Sequence, residues 1–496
     1  MNRAMNRDYD ALVVGSGAGG SAAAYRLARA GLRVLLIEKG RELPTDGSTL
    51  DVASVVTEGR FLARETWRDR KGNDLQPEEH FNLGGKTKWY GAALIRYAPH
   101  EFEADETHGC APWPITYSEM APYYEEAERL LGVRYFECEP DLRRIVSRLT
   151  AGGGWRAEQL PLGLAPDIID DDLEATHFDG FASVRGLKAD AQTALLARVG
   201  GANRLTLVTG TAVESLLAAE DDERRVVGVR TVDGREFRGR VTLLAAGALH
   251  SPRLLQRYVD AHGLEHRLPA AGSIGRHLKL HLLTAMVSMG VGRKIDRLRK
   301  TILLLNERFP HSSVQPLGFD AELMERLLPS AVPRALARQV AARAYGFFLQ
   351  TEDGASPDNR VLSAQTGDPR PTIDYAASRV PAAEREHRHL TRALTLSLLR
   401  CGYVSVTKRI GLSGTAHVQG SLTAGDDPRT SVVDSLGRVH GLESLYVVDG
   451  SVLARSGRAN PSLTIYAWAL RVADLLAPTL SRRRSREIAG TTEVIA

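Results

Sequence analysis

The sequence predicts an α/β protein: a nucleotide-binding domain built on a parallel sheet from separated pieces of the chain, with a second domain inserted between them. Three observations predict it. Residues 9–40 read as strand, turn, helix, strand around Gly15-x-Gly17-x-x-Gly20. Residues 282–425 alternate strands and helices with no second glycine fingerprint. The C-terminal stretch from His417 to Pro461 then supplies a histidine, an aspartate ending an apolar run and an Asn-Pro opening an apolar helix. Both ends of the chain therefore contribute to one redox site.

Each element follows from local pattern. Tyr9 to Val14 is a short apolar strand, Ser21 to Ala30 an Ala-rich helix stopped by Gly31, and Leu32 to Ile37 a second buried strand ending at Glu38. Such a βαβ unit implies a right-handed crossover in a parallel sheet. Ser118 to Leu131 reads as a helix with Ser118 as N-cap and Gly132 as stop. Leu205–Val208, Val226–Thr231 and Val241–Ala245 read as strands, with a turn at Asp233-Gly234. Helices are expected over 326–346, 381–401 and 462–476.

The glycines have distinct tasks. Gly15 permits the tight turn, Gly17 lets the backbone approach a pyrophosphate, and Gly20 lets helix and strand pack. The helix N-terminus then faces the phosphates. Glu38 is placed to accept hydrogen bonds from an adenosine ribose, which favours FAD or NAD over a 2′-phosphorylated cofactor.

Composition excludes several classes. The 496 residues are 43% hydrophobic, enough for a large core. The net charge is +4 with mixed signs, which argues against nucleic-acid binding. Cys110, Cys138 and Cys401 lack disulfide or metal-ligand spacing, so no metal is expected. With no signal peptide and no membrane span expected, the anticipated location is cytoplasmic. Arg482-Arg483-Arg484 marks 481–496 as a basic, disordered tail.

The stretches NLGGKTKWYGAALIR (82–96), LLAAGALHSPRLLQ (243–256), GSIGRHLKLH (272–281) and the C-terminal block resemble the glucose–methanol–choline (GMC) oxidoreductase family. The resemblance runs in order from about residue 8 to 477 and is loose over 285–410. It implies a Rossmann-like FAD-binding domain of the GMC and p-hydroxybenzoate hydroxylase type (1–98, 200–284, 426–480). An α+β substrate-binding domain (99–199, 285–425) is inserted into it. It also implies oxidation of an alcohol to an aldehyde or ketone.

The family pattern places a catalytic histidine at His417 and a second His or Asn at Asn460. A base must take the hydroxyl proton as hydride leaves the carbinol carbon, and histidine has a pKa suited to it. Asn460 is also a natural N-cap before Pro461. The cofactor set at the first turn and second strand is Gly15, Gly17, Ala18, Gly20, Glu38 and Lys39. Downstream follow Gly84, Gly85, Thr87 and Gly91 beside the isoalloxazine, Val213 at the adenine edge, then Ala246, Gly247 and Ser251. Asp449 and Gly450 approach the diphosphate and ribityl chain, and Asn460, Pro461 and Thr464 the pyrimidine ring. Some sugar oxidases of the family bond flavin covalently through a histidine where this chain has Trp89, so FAD is expected to be non-covalent. His281 also recurs in the family pattern and is read as a packing hinge.

Tyr90, Gln350 and Glu352 are the candidate substrate contacts. The acidic segment Pro166–Glu174 is either a solvated loop or a pocket rim for a cationic substrate. The expected substrate is a small-molecule alcohol: a sugar, polyol or amino sugar, including an aminoglycoside primary alcohol. O₂, a quinone or another acceptor would take the electrons. The alternatives are a lipophilic alcohol such as a sterol, or a redox-silent flavin lyase on the same fold.

Overall fold

The computed structural model describes residues 9–199, 204–317, 333–364 and 368–493. Its first sheet joins β1 (Tyr9–Val14), β2 (Val34–Glu38), β6 (Leu205–Thr209), β7 (Val213–Ala218), β8 (Val226–Thr231), β9 (Glu236–Leu244) and β17 (Leu445–Val447). The parallel order is β6-β2-β1-β9-β17, and the start of β9 also pairs antiparallel with β8. β9 is thus longer than the predicted Val241–Ala245. The buried run Ala11 to Val14 fits a strand covered on both faces.

The helix Ala18–Arg29 packs on this sheet, and the helix Ser462–Glu493 packs on that helix. The last helix buries Leu463, Tyr466, Trp468, Leu470 and Val472 in the main core. Its segment Ser462–Arg482 is long and apolar enough to cross a bilayer, but 72% of that window is buried within the fold. The helix runs on to Glu493, through the segment expected to be a disordered tail.

The helix Tyr117–Leu131 is capped by Thr116, not Ser118. The Thr116 hydroxyl accepts from Glu119 N–H and the Glu119 carboxylate accepts from Thr116 N–H, a reciprocal capping box. Met120, Tyr124, Ala127 and Leu130 join the core of the first sheet, although the sequence places 99–199 in the substrate-binding domain. The reason is its apolar face, which matches the final helix.

The second sheet is antiparallel, in the order β16 (Val404–Arg409), β10 (Leu282–Met289), β13 (Ala344–Thr351), β12 (Ser312–Leu317), β11 (Ile302–Leu305), β5 (Arg156–Gln159). Helices Pro140–Ala151 and Pro381–Arg400 cover one face through Ile145, Leu390 and Leu394 against Met286, Val314, Phe347 and Leu349. Leu317 and Phe348 line the cavity described below. The predicted helix 326–346 is corrected here. Residues 326–332 lie outside the described residues, the helix is Arg334–Ala341, and β13 begins at Ala344. Tyr345, Phe347 and Leu349 alternate into the core, a period-two pattern that overrides the preceding helical run. A third sheet joins β14 (Arg360–Leu362), β15 (Thr372–Asp374), β3 (Trp67–Asp69) and β4 (Asp74–Leu75).

Candidate active site

A cavity of about 1020 Å³ runs from the glycine turn to the antiparallel sheet, at the upper end of the usual range for ligand pockets. Gly15, Gly17, Ala18, Glu38, Lys39, Gly85, Thr87, Gly91, Val213, Ala246, Gly247, Asp449, Gly450, Asn460, Pro461 and His417 all line it. The structure therefore brings together residues more than 400 positions apart.

Close backbone approach makes the turn possible. A Cβ on Gly20 would stand 1.9 Å from the Gly15 carbonyl oxygen, so Gly20 packs helix on strand and does not line the cavity. Gly19, which motif reasoning passed over, is equally constrained: its Cβ would stand 1.8 Å from the Val448 carbonyl oxygen. The first helix thereby lies directly on the C-terminal strand segment.

Polar braces hold the walls. The Glu38 carboxylate accepts from Ser16 N–H at 2.9 Å, the Ser16 hydroxyl at 2.6 Å and Gly40 N–H at 2.8 Å. Burial nevertheless pushes its carboxyl up. Ser16 also accepts from Gly84 N–H at 3.0 Å, so one unpredicted serine ties the glycine turn to the 82–96 segment. Asp449 is 5% exposed and fully engaged. Oδ2 accepts from Gly247 N–H at 2.9 Å and from Ser251, and Oδ1 accepts from Ser451 N–H at 2.9 Å and its hydroxyl. Burial raises its pKa despite these donors.

At the other end, His417 Nε2 lies 3.4 Å from Asn460 Nδ2 and His417 Nδ1 lies 3.2 Å from His281 Nδ1. Asn460 Oδ1 accepts from Gln315 on β12, which fixes the amide orientation. Burial, then the neighbouring His281 and the cations Lys300 and Lys86, hold His417 well below the usual histidine pKa. It is a neutral base at neutral pH. Lys86 is paired with Glu79 and donates to the Thr415 carbonyl at 2.8 Å. Lys300 pairs with Asp179 at 2.6 Å. A Cβ on Gly91 would meet both partners, at 2.4 Å from Asp179 Oδ1 and 2.7 Å from Lys300 Nζ. Gly91 therefore makes room for this ion pair.

Several expected contacts lie elsewhere. Glu352 sits outside the cavity lining, in a buried ion pair with Arg455, and also accepts from Gly457 N–H at 3.1 Å. Gln350 donates to the Arg458 carbonyl at 3.0 Å. Both hold the 455–458 loop, and neither lines the cavity. Tyr90 lines the cavity, but its hydroxyl donates to the Ala189 carbonyl at 2.7 Å. Thr464 is buried against the Tyr124 hydroxyl at 2.9 Å. Gly84 and Ser251 stand behind the lining. The acidic segment is no rim: Asp171 caps the helix Asp172–His177 and pairs with Arg185, Asp172 pairs with Arg297, and Glu174 accepts two backbone N–H groups. Trp89 is buried and donates its indole N–H to Asn82 at 2.9 Å, with His80 stacked on it.

The cavity suits a dinucleotide. A Cβ on Gly17 or Gly247 would meet nothing within 4 Å, so both leave open backbone on the cavity side. The helix Ala18–Arg29 opens there with a glycine N-cap that offers no side-chain acceptor. A diphosphate fits such a helix start.

Two family models, both described as GMC oxidoreductase, match residues 9–283 and 362–469. The chain is 30% identical to 6'''-hydroxyparomomycin C oxidase of Streptomyces lividus, covering 97% of this chain and 94% of that protein. Paromamine 6'-oxidase of Streptomyces fradiae is also 30% identical, with the same coverage. The crystal structure of pyridoxine 4-oxidase from Mesorbium loti superposes with a TM-score of 0.70 at 20% identity, covering 94% of this chain and 99% of that one. With a matching fold, a cavity lined by the glycine turn and family matches over both halves, the chain belongs to the GMC oxidoreductases, a family of FAD-dependent enzymes.

Proposed function

We propose that this protein is an FAD-dependent oxidase of an alcohol group on an amino sugar, with an aminoglycoside primary alcohol as the preferred class. The observation that carries the proposal is the neutral His417 facing the Asn460 amide in the cavity that reaches the glycine turn. FAD, when bound, supplies the hydride acceptor. His417 Nε2 takes the hydroxyl proton, and Asn460 Nδ2 orients the hydroxyl oxygen. The glycine turn, Glu38 and the 246–247 segment would hold the dinucleotide, non-covalently since Trp89 stands where some family members carry the linking histidine. Two relatives named as a hydroxyparomomycin oxidase and a paromamine oxidase, similar along nearly the whole chain, support the substrate class. Glu78, an exposed carboxylate on the cavity rim, offers a partner for a substrate ammonium.

The test is anaerobic. Purified yellow protein is mixed with paromamine, neutral polyols and sterols, and the flavin absorbance is followed. Bleaching by the amino sugar, with return of colour in air, is expected. Bleaching by sterols alone would sink the substrate class. Acid precipitation should release the flavin into solution; flavin that stays with the pellet would overturn non-covalent binding.

A further inference from the structure

His281 adjoins the reacting group yet has no part in the chemistry above. It sits at the start of β10 with φ +62°, a left-handed conformation that side-chain-bearing residues avoid. Something must hold it there, and its hydrogen bonds suggest why. His281 Nε2 lies 2.8 Å from the Gly457 carbonyl oxygen. A carbonyl only accepts, so Nε2 carries the hydrogen. Burial lowers the pKa of the ring and keeps it neutral, so Nδ1 holds a bare lone pair. His417 Nδ1, at 3.2 Å, must therefore bring the proton to that contact. Its second nitrogen, Nε2, is left as the lone pair, facing the donor amide of Asn460.

We propose that His281 is a positioning residue: by accepting from His417 Nδ1–H it fixes the tautomer that exposes Nε2 to the substrate hydroxyl. The inference rests on the reading of His417 as the proton acceptor. The logic is that of an orienting partner behind a catalytic histidine, with a neutral imidazole in the orienting place. The two rings meet edge to face, 5.1 Å between centroids and 75° between planes, which suits an in-plane N–H to lone-pair contact. When His417 becomes an imidazolium, the same Nδ1–H keeps its acceptor. The charged groups acting on His281 are Asp353, Glu352 and Glu101, all of which favour positive charge nearby. Those acting on His417 are Lys300 and Lys86, which disfavour it.

Two variants separate this from a packing role. His281→Phe keeps a ring but removes the acceptor, and His281→Asn restores a carbonyl oxygen near the Nδ1 position. FAD retention in both is checked by absorbance. With paromamine as the alcohol, the anaerobic rate of flavin reduction is measured between about pH 5 and 9. For His281→Phe we expect a loss of roughly 10²-fold in that rate with KM little changed, since binding is not the contact removed. Its pH profile should differ from the native one, because the ring removed is both the acceptor of the imidazolium and one of the groups that lower the His417 pKa. His281→Asn should recover most of the rate. A second readout needs no turnover: ¹⁵N-histidine spectra, with the His417 signal assigned by His417→Ala, should show hydrogen on Nδ1 in the native protein and mixed tautomers in His281→Phe. The inference is overturned by a native His417 protonated on Nε2, or by His281→Phe reducing flavin at the native rate with the native pH profile. If that happens while His417→Ala is inactive, the base assignment stands and only the role of His281 falls. If His417→Ala reduces flavin at the native rate, the base assignment falls as well.

Discussion

Replacing Asp449 by asparagine keeps the side-chain shape and removes one acceptor oxygen. Each carboxylate oxygen takes one backbone N–H and one hydroxyl: Gly247 N–H and Ser251 on one, Ser451 N–H and its hydroxyl on the other. In Asp449→Asn the new NH₂ must face either Gly247 N–H or Ser451 N–H. The serine hydroxyls can turn to donate elsewhere; the backbone groups cannot. A hydrogen bond to a charged group contributes about 1.5–3 kcal/mol, and stranding a buried N–H costs about 1–3 kcal/mol more. Against this, burial already raises the carboxyl pKa, so neutralising it returns part of the loss. The net expectation is a destabilisation of about 2–4 kcal/mol. Because the brace joins the 245–251 wall to the 449–452 wall, FAD affinity should fall with it. Urea unfolding of apo and FAD-loaded protein, with FAD titration by fluorescence, measures both. An Asp449→Asn protein within about 0.5 kcal/mol of native, the spread of neutral surface changes, and with native FAD affinity would refute the brace.

Four further outcomes are expected. His417→Ala should bind FAD yet lose about 10²–10⁴-fold in flavin reduction, the range for a removed base. Because the folded pKa of His417 lies well below 6.5, the native rate should stay flat as pH falls to 6.5; a rate that halves near pH 6.5 contradicts the buried neutral base. His311, gripped by Asp105 at 2.6 Å and Glu386 at 2.9 Å, has a pKa raised to about 9, those carboxylates outweighing its burial. A raised histidine pKa stabilises fully below the unfolded value, about 6.5, and that stability is lost as pH rises through 9. The loss is at most about 3 kcal/mol at 1.36 kcal/mol per pKa unit, and His311→Asn should flatten that limb in denaturation curves. Glu78→Gln should raise KM for paromamine by about 2–5-fold at low salt, the worth of an exposed ion pair, and leave a neutral alcohol unaffected; equal effects on both would remove Glu78 from ammonium recognition.

The βαβ unit and its glycines were legible because strand, turn and helix are written within thirty residues. His417 and Asn460 were legible because a family pattern surrounds each. What the sequence withheld is long-range pairing. Gln315 reaches Asn460 only because β12 pairs with β13 in one register, with Gln315 opposite Phe348. A slip of one residue would turn Gln315 into the core. Glu352 looked like a substrate contact because it follows an apolar strand near other polar residues. Its partner, Arg455, lies 103 positions away and could not be read from local pattern. Gly19 was passed over because the nucleotide motif does not ask for it. Its constraint comes from Val448, at the other end of the chain.

The same distances explain why a histidine, not a carboxylate, stands behind His417. A carboxylate in hydrogen-bond contact with Nδ1 would raise the pKa of the base, as Asp105 and Glu386 raise that of His311. A base already protonated at neutral pH cannot take the hydroxyl proton. The carboxylates nearest His281 are instead absorbed by other partners: Glu352 by Arg455, and Asp353 by Leu280 N–H, Tyr375 and Ser456. They act on His281 and not on His417, so they hold no proton on the base beforehand. Lys86 and Lys300 push the other way, and each keeps its own counter-ion, Glu79 and Asp179. His417 is thus oriented by a neutral acceptor and kept unprotonated by burial and two cations. Changing His281 to aspartate should test the balance directly: orientation would survive, the pKa of His417 would rise, and the acid limb of flavin reduction would move up in pH.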